Sequence, residues 1–349
     1  MNTPAFSTSN TKRLGIVHRD AVAVATQELV KTSFLSPAQT LPLVVEPRLD
    51  GLNLSSWAGN KREFLEQSLN NYGGVLFRGF DLRTQVDFEQ AVKSMSVELM
   101  HYMEGATPRT QLSENVYTST EYPSNQSIEL HNELSYVVTW PGRIWFYCVT
   151  PAQQEGETPI ADVRKVLKHI DPKIVDRFVQ KGWMLVRNFG NDMSLPWQSV
   201  FRTDDRSILE AYCRDAQVEL EWIDSQHLRT RQVRPPIARH PRTGEMIWFN
   251  HICFWHVSSL ENDVRESMLS VFKEENLPYN TYYGDGSPIE SSVVEEIREA
   301  YRQETIKFPW REKDLLMLDN MLVAHGRSPF VGPRKILAAM GDPCSDRGL

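Results

Sequence analysis

The chain has 349 residues and a mass of 40.2 kDa, enough to bury a large core in one domain or two. Its 41% hydrophobic and 24% charged residues exclude extensive disorder, and a net charge of -7 disfavours nucleic acid as a partner, which calls for a basic face. The four cysteines, Cys148, Cys213, Cys253 and Cys344, have no paired spacing, so neither a disulfide framework nor a zinc knuckle is indicated. The first residues lack the charged and apolar regions of a secretory leader. No run approaches the ~20 apolar residues that span a bilayer, so a cytoplasmic protein without membrane contact is expected.

Residues 1–40 are polar and mixed and read as a peripheral or mobile arm preceding a single domain. A short extended segment, Leu41 to Pro47, leads into an amphipathic helix from Asn60 to Tyr72, stopped by Gly73-Gly74. The run Val75 to Phe80 reads as a buried strand. Further helices are expected over Gln85 to Leu99 and over Val163 to Gly182, the latter capped by Asp162 and broken near Pro172. Helices also fit Asp205 to Ala216 and Ser258 to Glu275. Strands rich in aromatic and β-branched residues are expected at Ile144 to Val149, Gly182 to Arg187 and Met246 to Asn250, with two more at Leu315 to Ala324 and Arg334 to Met340. Many short strands with appended helices predict a β-rich α+β fold, a jelly-roll core under helical cover.

Three His-x-acid triplets occur, where nine histidines should give about one by chance. His18-Arg-Asp20 lies in the polar arm. His169-Ile-Asp171 falls in a helical pattern, where positions i and i+2 do not share a face. His131-Asn-Glu133 falls where the chain reads extended, and alternate strand side chains project to one side. Far downstream, the apolar run Asp319 to Ala324 delivers His325, followed by Gly326, which permits close backbone approach. Two imidazoles and a carboxylate with open positions are the donor set of a non-haem ferrous centre. Arg334, nine residues past His325 in an otherwise apolar segment, needs an anion, and its planar fork suits a carboxylate.

With Gly74-Val-Leu-Phe-Arg-Gly-Phe80, Thr118 to Pro123, His131 to Tyr136, Gly156 to Asp162, Trp248-Phe-Asn250 and the tail from His325 to Arg334, the chain resembles the TauD/TfdA-like (taurine dioxygenase-like) Fe(II)/2-oxoglutarate-dependent dioxygenases. The likeness is to their clavaminate synthase-like and syringomycin-hydroxylase-like branches. It implies a double-stranded β-helix fold, iron ligation by His131, Glu133 and His325, and Fe(II), 2-oxoglutarate and O2 as cofactor and cosubstrates. It also implies that Thr158 and Arg334 grip the distal carboxylate of 2-oxoglutarate, although a second family arginine is replaced here within Ala338-Ala339. The implied activity is hydroxylation of an unactivated C–H bond in an amino acid or amino-acid-derived substrate, free or on a carrier protein, with release of succinate and CO2. Tyr136, Asn250, Arg109 and Arg327 are the candidate substrate residues. Two other outcomes share the residues: desaturation or cyclisation by the same family, and a zinc hydrolase using the same three ligands.

Overall fold

A computed structural model describes residues 29–100, 110–113, 115–120, 122–190 and 194–345. Its backbone is a seven-stranded sheet in the order Val30–Ser36, Gln39–Pro47, Gly74–Phe77, Leu315–Asp319, Thr139–Thr150, Lys335–Ser345, Tyr117–Thr118. Opposite it lies a three-stranded sheet in which Val323–Arg327 is flanked by Ile128–His131 and Ile160–Asp162. A four-stranded sheet of Glu219–Trp222, Leu228–Arg234, Trp183–Phe189 and Tyr279–Tyr283 extends the structure. This is the β-rich α+β jelly roll expected from the sequence.

The large sheet is buried on both faces because its strands carry apolar residues at odd and even positions alike. Trp145, Tyr147, Leu315 and Met317 face one core, formed with Trp57, Leu65, Leu69 and Phe88 of the covering helices. Ile144, Phe146, Leu316 and Leu318, one residue out of phase, face the other, shared with Ile160, Val323 and Ala324 of the small sheet. That second core holds the site.

Local signals placed most helices. Arg62–Tyr72 ends at Gly73, whose φ of 77° is the left-handed conformation that a residue without a Cβ adopts freely. Asp162 caps Val163–His169 by accepting from the Arg164 N–H, and the break before Pro172 starts Pro172–Lys181. The expected helix from Ser258 to Glu275 is shorter, Asn262–Val271, flanked by single 3₁₀ turns. The helix Ser291–Glu304, with Val293, Val294, Ile297, Ala300 and Tyr301 buried, was not anticipated.

Two expectations need correction. Residues 30–40 belong to the fold: Val30–Ser36 pairs antiparallel with Gln39–Pro47 as the edge of the large sheet. Leu315 to Ala324 is not one strand. Asp319 accepts hydrogen bonds from the Met321 and Leu322 N–H groups at 2.9 and 3.1 Å, an Asp-supported turn that sends the chain from the large sheet into the small one. Of the rival triplets, His18 and Asp20 lie outside the described residues. His169 pairs with Glu304 at 2.7 Å, and Asp171 caps the next helix. Among the described residues no helix is long and apolar enough to cross a membrane.

Arg78, just beyond Gly74–Phe77, forms a two-pronged ion pair with Asp314, which precedes Leu315–Asp319, with N–O distances of 3.0 and 2.6 Å. Both side chains are buried. Removing one partner strands a charge in the core, so Asp314→Ala should cost about 3–5 kcal/mol in urea-induced unfolding. The double change Arg78→Met with Asp314→Leu should cost clearly less.

Candidate active site

His131 ends its strand and stands directly opposite His325 in the antiparallel register. Their ring centroids are 4.6 Å apart, because directly paired residues project side by side from one face. Between His325 and Arg327 the register slips by a bulge at Gly326, where a Cβ would meet the Ile128 carbonyl oxygen at 2.5 Å. The close approach anticipated at Gly326 is therefore that of the two histidine-bearing strands.

Glu133 reaches the pair from a turn rather than from the strand expected for it, since strand geometry stops at His131. Asn320, in the turn that follows Asp319, accepts the Glu133 N–H at 2.8 Å and donates to the Glu133 and Pro141 carbonyls at 2.9 and 2.8 Å. Asn132 in turn donates to the Asn320 carbonyl at 2.7 Å. Leu134 takes a positive φ of 55° to complete the bend. The carboxylate arrives 4.0 Å from His131 Nε2 and 3.6 Å from His325 Nε2.

These three buried side chains form a group able to hold a metal ion. Two bonds of about 2.1 Å to a shared ion span atoms up to about 4.2 Å apart, which covers both imidazole-to-carboxylate gaps. His131 Nδ1 lies 2.8 Å from the Glu129 carbonyl; a proton held there leaves the Nε2 lone pair facing the cluster. His325 is 4% exposed and its Nδ1 has no partner among the described residues. Its Nε2 is too far from Glu133 for a hydrogen bond. A buried imidazole without any hydrogen bond is costly unless a cation ligates it, so the donor set fits a metal.

Beside the cluster a narrow cleft is lined by Thr158, Arg334, Arg327 and Phe146, among others. Arg334 donates from Nε to the Gly156 carbonyl at 2.8 Å, and among the described residues no carboxylate pairs with it. Burial, and secondarily the Arg327 guanidinium, bring its pKa down to about 10, the mark of a cation waiting for an anion. Thr158 accepts the Trp310 indole N–H at 3.2 Å, which leaves its own hydroxyl proton to donate. Such a pair suits the far carboxylate of 2-oxoglutarate.

A larger cavity of about 420 Å³ adjoins the cleft, sharing Thr120 and Ile128 with it, and its size is typical of small-molecule sites. Phe254 lines it and packs on His131, centroid to centroid 4.6 Å. Tyr136 and Asn250 do not line it. Asn250 donates to the Pro236 carbonyl and accepts from the Ile252 N–H, stiffening a turn. Arg327 lines the inner cleft, but its two Nη groups donate to the Tyr122, Pro123 and Gln126 carbonyls, so it pins a loop. Arg109 lies outside the described residues.

Sequence reasoning missed Asn132, Asn320, Trp310 and His251. His251 bonds through Nδ1 to Ser135 at 2.6 Å and packs 5.2 Å from the His131 ring. Burial holds it well below the ordinary histidine range, so it stays neutral beside the cluster. Only the neighbouring Trp248-Phe-Asn250 run pointed towards it.

The profile of the family described as taurine catabolism dioxygenase TauD, TfdA matches residues 36–340. The chain belongs to this family. Dapdiamide synthesis protein DdaC of Enterobacter agglomerans is 39% identical over 279 residues, 80% of this chain and 85% of its own. A clavaminate synthase-like protein of Arabidopsis thaliana is 29% identical over 316 residues, 87% of this chain and 89% of its own. The crystal structure of PvcB from Pseudomonas aeruginosa superposes with a TM-score of 0.54 at 18% identity, covering 91% of this chain and 94% of PvcB, which is a likeness of fold. The enzyme is an Fe(II)- and 2-oxoglutarate-dependent dioxygenase.

Asn320 is the device that brings Glu133 to the histidines. Asn320→Ala should leave the buried Glu133 N–H without an acceptor, costing about 1–3 kcal/mol, and should weaken Mn(II) binding about 10- to 100-fold in a calorimetric titration. Unchanged metal affinity would assign Asn320 to stability alone.

Proposed function

We propose that this enzyme hydroxylates an unactivated C–H bond of an amino acid or amino-acid-derived small molecule, free or carried on a protein, releasing succinate and CO2. His131, Glu133 and His325 hold the iron, and Arg334 with Thr158 holds the distal carboxylate of 2-oxoglutarate. When bound, the iron and 2-oxoglutarate supply the oxidising power for attack on the C–H bond. The chain's own residues supply position and exclusion of water. The Glu129 carbonyl fixes the His131 tautomer, Asn320 fixes the reach of Glu133, and Phe146 and Phe254 wall the histidines at centroid distances of 4.9 and 4.6 Å.

The observation that carries the reading is the carboxylate of Glu133 within 4.0 Å of both imidazoles. A retained carboxylate leaves no vacant ligand position for a halide, which favours hydroxylation over halogenation. Desaturation and cyclisation share the same first attack and would use the same residues. The similarity to a dapdiamide synthesis protein supports a place in natural-product biosynthesis, and four free thiols are compatible with a reducing, cytoplasmic setting. A zinc hydrolase with the same ligands would have no use for Arg334 or Thr158.

Incubation with Fe(II), ascorbate, 2-oxoglutarate labelled at C1 and a panel of candidate substrates should release labelled CO2 fastest with the true substrate, and equal release with and without every candidate would remove the panel's compound class as the substrate. A screen of amino acids and aminoacyl thioesters for a mass gain of one oxygen identifies the substrate. Glu133→Ala should abolish hydroxylation, whereas full activity in that variant would remove Glu133 from the ligand set. Arg334→Ala should raise the 2-oxoglutarate concentration for half-maximal CO2 release by about tenfold or more, the loss of roughly one charge-assisted hydrogen bond.

A further inference from the structure

Five arginines are buried among the described residues: Arg78, Arg143, Arg187, Arg234 and Arg327. Four spend their guanidinium groups on the protein. Arg78 pairs with Asp314, Arg143 with Glu66 and the Met95 carbonyl, Arg234 with the Tyr136 and Ala216 carbonyls, and Arg327 with three loop carbonyls. Arg187 has no hydrogen-bond or ion-pair partner among the described residues, although it is only 8% exposed.

Its place in the fold makes this more telling. Arg187 sits in the strand Trp183–Phe189, and alternate strand residues share a face. Trp183, Leu185 and Phe189 on that face are core residues, so Arg187 interrupts an apolar row. Its guanidinium carbon lies 4.9 Å from the Phe189 ring centroid and 6.0 Å from that of Tyr136, an aromatic slot that orients the planar group. The open side of the slot is the 420 Å³ cavity, which Arg187 lines. A buried cation without an anion breaks the rule that buried polar groups are paired, and proteins tolerate such breaks chiefly at functional sites.

The cavity holds one other charged side chain among its described lining residues, Glu129. Glu129 lies two positions before His131 on the same strand, with its side chain exposed, and its carbonyl oxygen is 2.8 Å from His131 Nδ1. One cation and one anion in a small-molecule cavity match the two charges of a zwitterion.

We propose that Arg187 anchors a carboxylate of the primary substrate while Glu129 receives its ammonium group. The two charges hold a free α-amino acid in the large cavity with its ammonium end towards the iron ligands. The inference rests on the function proposed above and specifies its substrate class. It is separate from the cosubstrate clamp, because Arg334 lines the cleft and Arg187 the cavity.

The test uses the full chain loaded with Mn(II) and N-oxalylglycine, an inert analogue of 2-oxoglutarate, and reads binding from melting temperature. Ligands are the common L-amino acids, each paired with its primary amide and its N-acetyl derivative. The parent should be shifted by at least one acid, with the matching amide and N-acetyl form requiring at least tenfold higher concentrations. Arg187→Met should need at least tenfold more of that acid, Arg187→Lys should recover part of the loss, and Glu129→Gln should erase the penalty for N-acetylation. Without ligand, Arg187→Met should melt higher than the parent, since it removes an unpaired buried charge.

A lower melting temperature for Arg187→Met would make Arg187 a structural residue and overturn the proposal. Equal affinity of the acid and its amide would do so too, as would a response to none of the acids. Failure of N-oxalylglycine to stabilise the Mn(II)-loaded parent would count instead against the dioxygenase ligand assignment, and the ligand-free comparison would still judge Arg187.

Discussion

The site depends on one cross-strand pair. His131 and His325 stand opposite each other in an antiparallel ladder, and that register turns two residues nearly two hundred positions apart into neighbours whose rings lie 4.6 Å apart. A slip of one residue would send one imidazole to the other face of the small sheet. Gly326 maintains the register from one side by letting the strands approach. The turn at Asp319 and Asn320 maintains it from the other by ending one sheet and starting the next. Glu133 joins through the same turn, so a single buried asparagine couples the strand switch to the carboxylate beside the two imidazoles.

Around this pair the protein is built at some cost to its own stability. Among the described residues, buried His325 has no hydrogen-bond partner at Nδ1, Arg334 is desolvated without a carboxylate partner, and buried Arg187 has none either. Each would be an error in a protein that only had to fold. Here they surround two adjoining spaces, a narrow cleft beside the cluster and a larger cavity behind His131. The neutral His251, held uncharged by burial, adds no competing cation to the crowd. That cost is offset elsewhere, in a large sheet with apolar residues on both faces.

Much of the fold was legible because helix ends are written locally. Asp162, Gly73 and Pro172 act within one turn of themselves, and an aromatic run such as Ile144 to Val149 suits nothing better than a buried strand. The convergence of His131, Glu133 and His325 was legible for a different reason. His131-Asn-Glu133 kept its value when its two rivals did not, and Arg334 in an apolar segment called for an anion. What misled was strand geometry carried too far. Leu315 to Ala324 looks continuous because the breaking residues, Asp319 and Asn320, act through their side chains on backbone groups and leave the apolar pattern almost intact. Glu133 follows the alternation of a strand in the sequence, yet a turn presents it.

The sequence by itself determined the ligand types, the order of most elements and the need for an acidic cosubstrate, since these follow from residue chemistry and short-range spacing. Tertiary structure alone decided which charges remain unpaired. Arg327, a candidate for substrate contact, satisfies its Nη donors on a loop, while Arg187, embedded in an ordinary strand pattern, does not find a partner among the described residues. Asn320, Trp310 and His251 likewise gain their roles from residues more than a hundred positions away. Hydrogen-bond and ion-pair satisfaction is a property of what the fold brings within about 3 Å, and no local pattern in the chain encodes it.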